Sequence, residues 1–291
     1  MTSPPLTRLR VAAINFLNPA PLMWDFEHPP LAAALAQRYT LHYTQPSLCA
    51  DELLAARADL GLIPIASLTP DLAIVPGCTI ASLNEVRSIQ LIVKSPHTLS
   101  SVRTIAADTA SRSSLAYAEI LFRKFLNTHP TFLPAAADPI AMLQHADAAI
   151  LIGDPALLAL ESREQIEATI GPCVWHDLAH EWYTCTELPW VAAVWAVRPE
   201  ALSPSKSSST LTAAELTEDL EASRNHGLLN IEKLVEQWTP RIAIPPATIR
   251  HYLSSNIHYV LNTDCVRAIE RFRQYAAEVD VLPALPRLRF L

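Results

Sequence analysis

Asp108-Thr-Ala-Ser-Arg-Ser-Ser114 gathers the hydroxyls of Thr109, Ser111, Ser113 and Ser114 around the guanidinium of Arg112, immediately before an apolar helical pattern. Hydroxyls, a cation and the open N–H groups of a helix start are the means by which an α/β protein holds an anion without a phosphate loop. An ordinary helix capped by Ser111 or Ser113, with Arg112 in solvent, is the alternative. A second polar cluster, Asn15-Phe-Leu-Asn-Pro-Ala-Pro-Leu22, follows an apolar run directly. There Asn18 offers a donor and an acceptor on a turn stiffened by prolines, or simply closes an Asx turn. Ser88 opens the apolar run Ser88–Val93, and Gly153-Asp154 ends the run Asp147–Ile152, where Asp154 reads most simply as a helix cap.

Cys173-Val-Trp-His-Asp-Leu-Ala-His180, with Cys185 beyond, resembles a zinc set. All its candidate ligands crowd into one short segment, whereas structural zinc sites pair short spacings across an intervening element. No metal is expected, and no Ser–His–Asp or Cys–His arrangement can be assembled from sequence proximity.

The elements that must position these groups alternate between strand and helix. Arg8–Ile14, Tyr39–Gln45, Ala58–Pro64, Ser88–Val93, Arg103–Ala107, Asp147–Ile152 and Trp190–Val197 read as strands. Helical patterns cover Leu31–Arg38, Cys49–Ala58, Ala116–Leu126 and Ala156–Leu160, then Ala213–Arg224, Leu228–Gln237, Ala247–Leu261 and Asp264–Glu278. Ser203–Ser209 reads as a solvated loop. Two α/β lobes follow, residues 1–92 plus 198–291 and residues 93–197, with the chain crossing twice to form a central cleft. Ligands of open α/β sheets bind beyond the carboxyl ends of strands, which is where Asn15–Asn18, Pro64–Ser67, Thr109–Ser114 and Gly153–Asp154 all fall.

Composition removes other classes. The 291 residues carry 22 Lys+Arg against 29 Asp+Glu and no basic run, which argues against a nucleic-acid partner. With only five glycines, none close together, neither a GxGxxG cradle, a P-loop nor a GxSxG elbow exists, and no cofactor is expected. No apolar stretch is long enough to span a membrane. Met1 to Arg10 contains no hydrophobic stretch, and the five cysteines are scattered, so a cytoplasmic monomer or homodimer with reduced thiols is expected.

Six segments, in order, carry a family likeness. Phe16-Leu-Asn-Pro-Ala-Pro-Leu22 resembles an FLN-x-x-PL opening, Asp59–Pro64 a DLGLIP strand end, and Val86–Ile89 a V-x-SI segment. Asp108–Ser114 is similar to D-x-SSRTS, Leu151–Asp154 to LIGD, and Asp177–Trp182 with Leu188–Trp195 to DLG-x-x-W followed by TGLP-x-V-x-A-x-W. Together they resemble the chorismate dehydratase family of the futalosine route to menaquinone. The resemblance implies a two-lobe fold like the type II periplasmic binding proteins and a hydro-lyase reaction, chorismate to 3-[(1-carboxyvinyl)oxy]benzoate. It further implies that the substrate's own enolpyruvyl carboxylate removes the ring proton, while Asn18 assists departure of the hydroxyl. Ser88, Thr109, Ser111, Arg112, Ser113 and Ser114 would hold carboxylates, with Gly153 and Asp154 completing the cleft. Glu187 and Ala179 stand where the family usually has glycine, and Glu187 is expected to point away from the cleft. A non-catalytic solute-binding protein of this fold and the related 1,4-dihydroxy-6-naphthoate synthase are the competing readings.

Overall fold

The most apolar runs of the sequence form the central strands of two separate sheets. A computed structural model of the chain describes residues 8–108, 110, 112–203 and 211–291; Thr109, Ser111 and most of the expected Ser203–Ser209 loop lie outside the described residues. The strands are β1 Leu9–Ile14, β2 Tyr39–Thr44, β3 Leu60–Pro64, β4 Ala73–Ser82, β5 Ile89–Lys94, β6 Thr104–Asp108, β7 Thr131–Ala135, β8 Ala148–Ile152, β9 Cys173–Asp177, β10 Trp190–Val197 and β11 His258–Leu261. Six of them form one sheet in the order β11-β4-β10-β3-β1-β2, and five form the other in the order β7-β6-β8-β5-β9.

In the first sheet β1 runs parallel to β2 and β3, while β10 lies antiparallel between β3 and β4. In the second, β6 is parallel to β7 and β8, and β5 is antiparallel to β8 and β9. Parallel pairs need crossovers that cover the sheet faces, so their strands are apolar throughout; every residue of β3 and β8 is buried.

Strand membership moves the expected crossings. β5 belongs wholly to the second sheet and β10 wholly to the first, so the chain passes between sheets at 83–88 and again at 178–189. The boundaries read from sequence, 92/93 and 197/198, cut through β5 and fall at the far end of β10. The reason is that both are buried strands with no turn residue to mark which sheet they join.

The C-terminal part departs from an all-helical expectation. The pattern over Ala247–Leu261 divides into a helix Pro246–His251, a π-helical turn Tyr252–Asn256 and strand β11. The long helix Ala213–Leu229 packs against Ala20–Met23 and β4, and the helix Thr263–Glu278 packs against β10 and the helix Arg112–Ile120.

Candidate active site

A cavity of about 560 Å³ opens between the two sheets. One side of its wall comes from the first sheet and its loops, through Ile14, Phe16, Asn18, Pro64, Ile80, Ala81, Trp190, Ala192 and Ala193. The other comes from Ser88, Ile89, Ser113, Ser114, Ile152 and Gly153. Among the described residues, none that lines it is an acid, a base or a cation. Whatever binds here meets apolar walls and a few neutral polar groups.

Asn18 sits in the turn that leaves β1. Its Oδ1 is buried and has no hydrogen-bond partner among the described residues. A buried acceptor without a partner costs on the order of 1–3 kcal/mol, so its persistence at a cavity wall points to a ligand. The turn is fixed from behind by the helix Ala213–Leu229, where Ser223 Oγ donates to the Leu22 carbonyl at 2.7 Å and accepts from Asp25 N–H at 3.0 Å. Gly227 lets that helix close in, since a Cβ there would lie 2.1 Å from the Pro21 carbonyl oxygen.

Ser88 lies in the segment that crosses between the sheets. Its backbone carbonyl accepts from Gly153 N–H at 2.7 Å, and its hydroxyl oxygen accepts from Tyr252 Oη at 2.7 Å. Asp177, at the end of β9, holds the same crossing by accepting from Val86 N–H and Arg87 N–H while capping the helix Leu178–Thr186 through Ala179 and His180. Burial raises the pKa of Asp177, against the pull of those backbone donors.

Gly153 begins the helix Gly153–Glu161 with φ +61, and a Cβ there would lie 2.7 Å from the Phe16 ring. Only glycine fits both constraints. That helix has no side-chain cap, and neither has the helix Pro46–Leu54, whose Pro46 also lines the cavity. Ser113 and Ser114 lie in the first turn of a third helix, Arg112–Ile120. Three helix N-termini therefore converge on one apolar cavity, and their partial positive charges favour an anion there.

The remaining expected residues take different places. Arg112 does not line the cavity: its Nη2 donates to both carboxylate oxygens of Asp51, at 2.8 and 2.9 Å. A cation at a helix N-terminus faces the positive end of the dipole, and pairing with Asp51 offsets that repulsion. The Ser113 hydroxyl donates to the Ala192 carbonyl and accepts from Ala66 N–H, so it clamps the helix to the first sheet. Asp154 is absent from the cavity wall; rather than capping its own helix, its carboxylate accepts from Leu17 N–H at 3.0 Å, and burial pushes its pKa up to about 6. Thr109 and Ser111 lie outside the described residues. Glu187 is exposed, as expected, in a left-handed conformation at the C-terminus of the helix Leu178–Thr186.

The zinc-like segment is spent on structure. His176 pairs with Glu181, His180 with Asn84, and Cys173 Sγ contacts the Gly171 carbonyl. Among the described residues no cluster of His, Cys, Asp and Glu could hold a metal ion.

Trp190 and Tyr252 are site residues that the sequence reading passed over. Trp190 is buried, lines the cavity, stacks on Tyr117 with ring centroids 3.7 Å apart, and has an Nε1–H without a partner among the described residues. An aromatic in an apolar strand reads as core, and only the family motif TGLP-x-V, whose variable position Trp190 fills, singled out its position.

Comparison with known proteins places this geometry. Structures of low sequence identity share the fold: the alkanesulfonate-binding protein SsuA of Xanthomonas axonopodis pv. citri bound to MOPS, with TM-score 0.65, 16% identity, and 99% of this chain and 97% of that one covered. A Candida albicans protein described as having the generic periplasmic binding protein fold matches with TM-score 0.64 and 11% identity over 98% of both chains. A protein from Archaeoglobus fulgidus matches with TM-score 0.67 and 15% identity, covering 94% of this chain and 97% of that one. The fold is that of the periplasmic binding proteins. In sequence, the chorismate dehydratase of Thermus thermophilus is 27% identical over 192 residues, which is 62% of this chain and 65% of that protein, so the match spans just under two thirds of the relative's length. A family model described as menaquinone biosynthesis matches residues 9–278, and the chain belongs to that family.

Proposed function

We propose that this protein is a chorismate dehydratase, a hydro-lyase that removes water from chorismate to give 3-[(1-carboxyvinyl)oxy]benzoate. The observation that carries the reading is the cavity wall: it contains no titratable side chain among the described residues, yet it presents the unpartnered Asn18 Oδ1, the Ser88 hydroxyl and three helix N-termini. A dehydration run by a protein base needs a carboxylate or imidazole within reach of the proton. A substrate that brings its own carboxylate needs only to be held.

In this reading the two sheets are the cores of two lobes joined at 83–88 and 178–189, and the cavity is the cleft between them. The two substrate carboxylates are met by helix N-termini and by Ser88, not by a guanidinium. The enolpyruvyl carboxylate takes the proton from the ether-bearing ring carbon, the electron pair completes the aromatic ring, and the ring hydroxyl leaves. The proton taken up by the carboxylate passes to that hydroxyl, which departs as water and leaves the carboxylate ionised again, while Asn18 hydrogen-bonds the hydroxyl as it leaves. Trp190, Ile89 and Ile152 keep the site dry, which strengthens these interactions. Family membership and the Thermus thermophilus relative support the substrate, and a biosynthetic role is in keeping with a cytoplasmic protein.

The test is incubation of purified protein with chorismate, followed by chromatography and mass spectrometry for the aromatic product. Product formation that depends on protein concentration supports the reading. Saturable chorismate binding without product would favour a solute-binding protein of this fold, which an apolar cleft without acids or bases would also serve.

A further inference from the structure

Tyr252 is fully buried in the π-helical turn Tyr252–Asn256 and, unlike Ser88, does not line the cavity. Its hydroxyl has one polar partner among the described residues, Ser88 Oγ at 2.7 Å. The direction of that bond follows from what each proton would otherwise face. Were Ser88 the donor, the phenol proton would be left in the core without an acceptor, at a cost on the order of 1–3 kcal/mol. With Tyr252 as donor, the Ser88 proton is the one left over, and it belongs to a side chain that lines the cavity. Among the described residues the Ser88 hydroxyl has no acceptor of its own. Burial, with Asp154 and Asp177 nearby, raises the Tyr252 pKa and keeps the phenol protonated.

The turn that carries Tyr252 grips the crossing segment a second time, because Asn256 Nδ2 donates to the Glu85 carbonyl at 3.3 Å. Asp177 holds the same segment from the second sheet. π-helical turns inside helices recur at functional sites because they re-aim a side chain; here the turn aims a phenol at a serine one layer away.

We infer that Tyr252 is a positioning residue that fixes Ser88 as a hydrogen-bond donor toward a carboxylate bound in the cavity. The inference rests on the reading that the cavity takes a dicarboxylate such as chorismate. Tyr252 touches no substrate itself; it takes one lone pair of Ser88 and thereby commits the serine proton to the ligand.

The experiment is a double-mutant cycle on the full chain, with Tyr252→Phe, Ser88→Ala and the pair, read in chorismate turnover and in calorimetric binding of the stable dicarboxylate 3-(carboxymethoxy)benzoate. Tyr252→Phe alone should raise KM and weaken analogue binding by roughly fivefold, the scale of one lost hydrogen bond, with kcat held within about twofold. In the Ser88→Ala background the same change should have no further effect. Equal losses in both backgrounds, or a fall in kcat at unchanged KM, would overturn the inference, since those mark a general loss of folded protein. A wild-type protein that binds the analogue without converting chorismate sinks the proposed reaction but leaves the cycle readable in binding. One that neither binds nor converts overturns both.

Discussion

Arg112 Nη2 lies 2.8 and 2.9 Å from the two carboxylate oxygens of Asp51, and this ion pair holds the guanidinium outside the cavity wall. The motif around Arg112 suggested an anion clamp; in the proposed reading that task falls to helix N-termini and neutral donors. Arg112→Ala should therefore leave the Michaelis constant for chorismate within about threefold of wild type, because truncating an exposed ion pair changes little. Steady-state kinetics check this directly, and a rise of tenfold or more would mean that the arginine leaves Asp51 to meet the substrate.

Asn18 supplies the opposite case. Its Oδ1 makes no hydrogen bond among the described residues, so removing it sacrifices none of those contacts. Asn18→Ala should keep or slightly raise the melting temperature while lowering kcat by roughly 100- to 1,000-fold, the scale for deleting one oriented hydrogen-bonding group at a reacting centre. Thermal unfolding and turnover measured on the same preparation separate the two effects. Retained turnover would remove Asn18 from the chemistry.

Asp154, just after β8 of the second sheet, accepts from the N–H of Leu17, just after β1 of the first, and its pKa is raised from 3.8 to about 6 by burial. The sign follows from proton counting. Between those values the folded state binds more protons than the unfolded one, so stability falls as pH rises through the window and the loss is complete above about 6. Asp154→Asn keeps an acceptor for Leu17 but has no charge to bury. The variant should lose this pH dependence and be more stable at pH 7, by about 3 kcal/mol at most. Denaturant titrations at several pH values test it, and an unchanged slope would contradict it.

Glu187 adopts φ 57 at the end of the helix Leu178–Thr186, a conformation that costs a residue with a Cβ about 1–2 kcal/mol and glycine nothing comparable. Glycine loses part of that gain through its freer unfolded chain. Glu187→Gly should raise stability by about 0.5–1 kcal/mol and the melting temperature by roughly 1–3 °C, without altering turnover. A lower melting temperature would refute this account.

Legibility in the sequence followed burial. Trp190–Val197 was readable with the observed ends because a central strand is apolar on both faces. Three of the four edges were not: β7 contains Pro134, β9 carries polar residues, and β11 hides behind a helical pattern, since edge strands need neither apolar faces nor every N–H; the fourth, β2, was legible from its alternation. β4 was missed because Pro76 and Gly77 interrupt it, at a register shift against β10. In the site, Asn18, Ser88 and Gly153 were legible from their position at strand ends. Arg112 was misplaced because no spacing rule announces Asp51, which is 61 positions away. The part assigned to Tyr252 depends on a contact across 164 positions and on a π-helical turn that no local pattern signals.

A pocket whose walls cannot gain or lose a proton has one further consequence. If the guest is the proposed dicarboxylate, any acid or alkaline limb in the rate profile comes from that guest, whose carboxylates arrive already ionised at neutral pH. Selectivity then falls to shape and to the reach of a few neutral donors, and a look-alike lacking the self-deprotonating arm would occupy the pocket as a spectator.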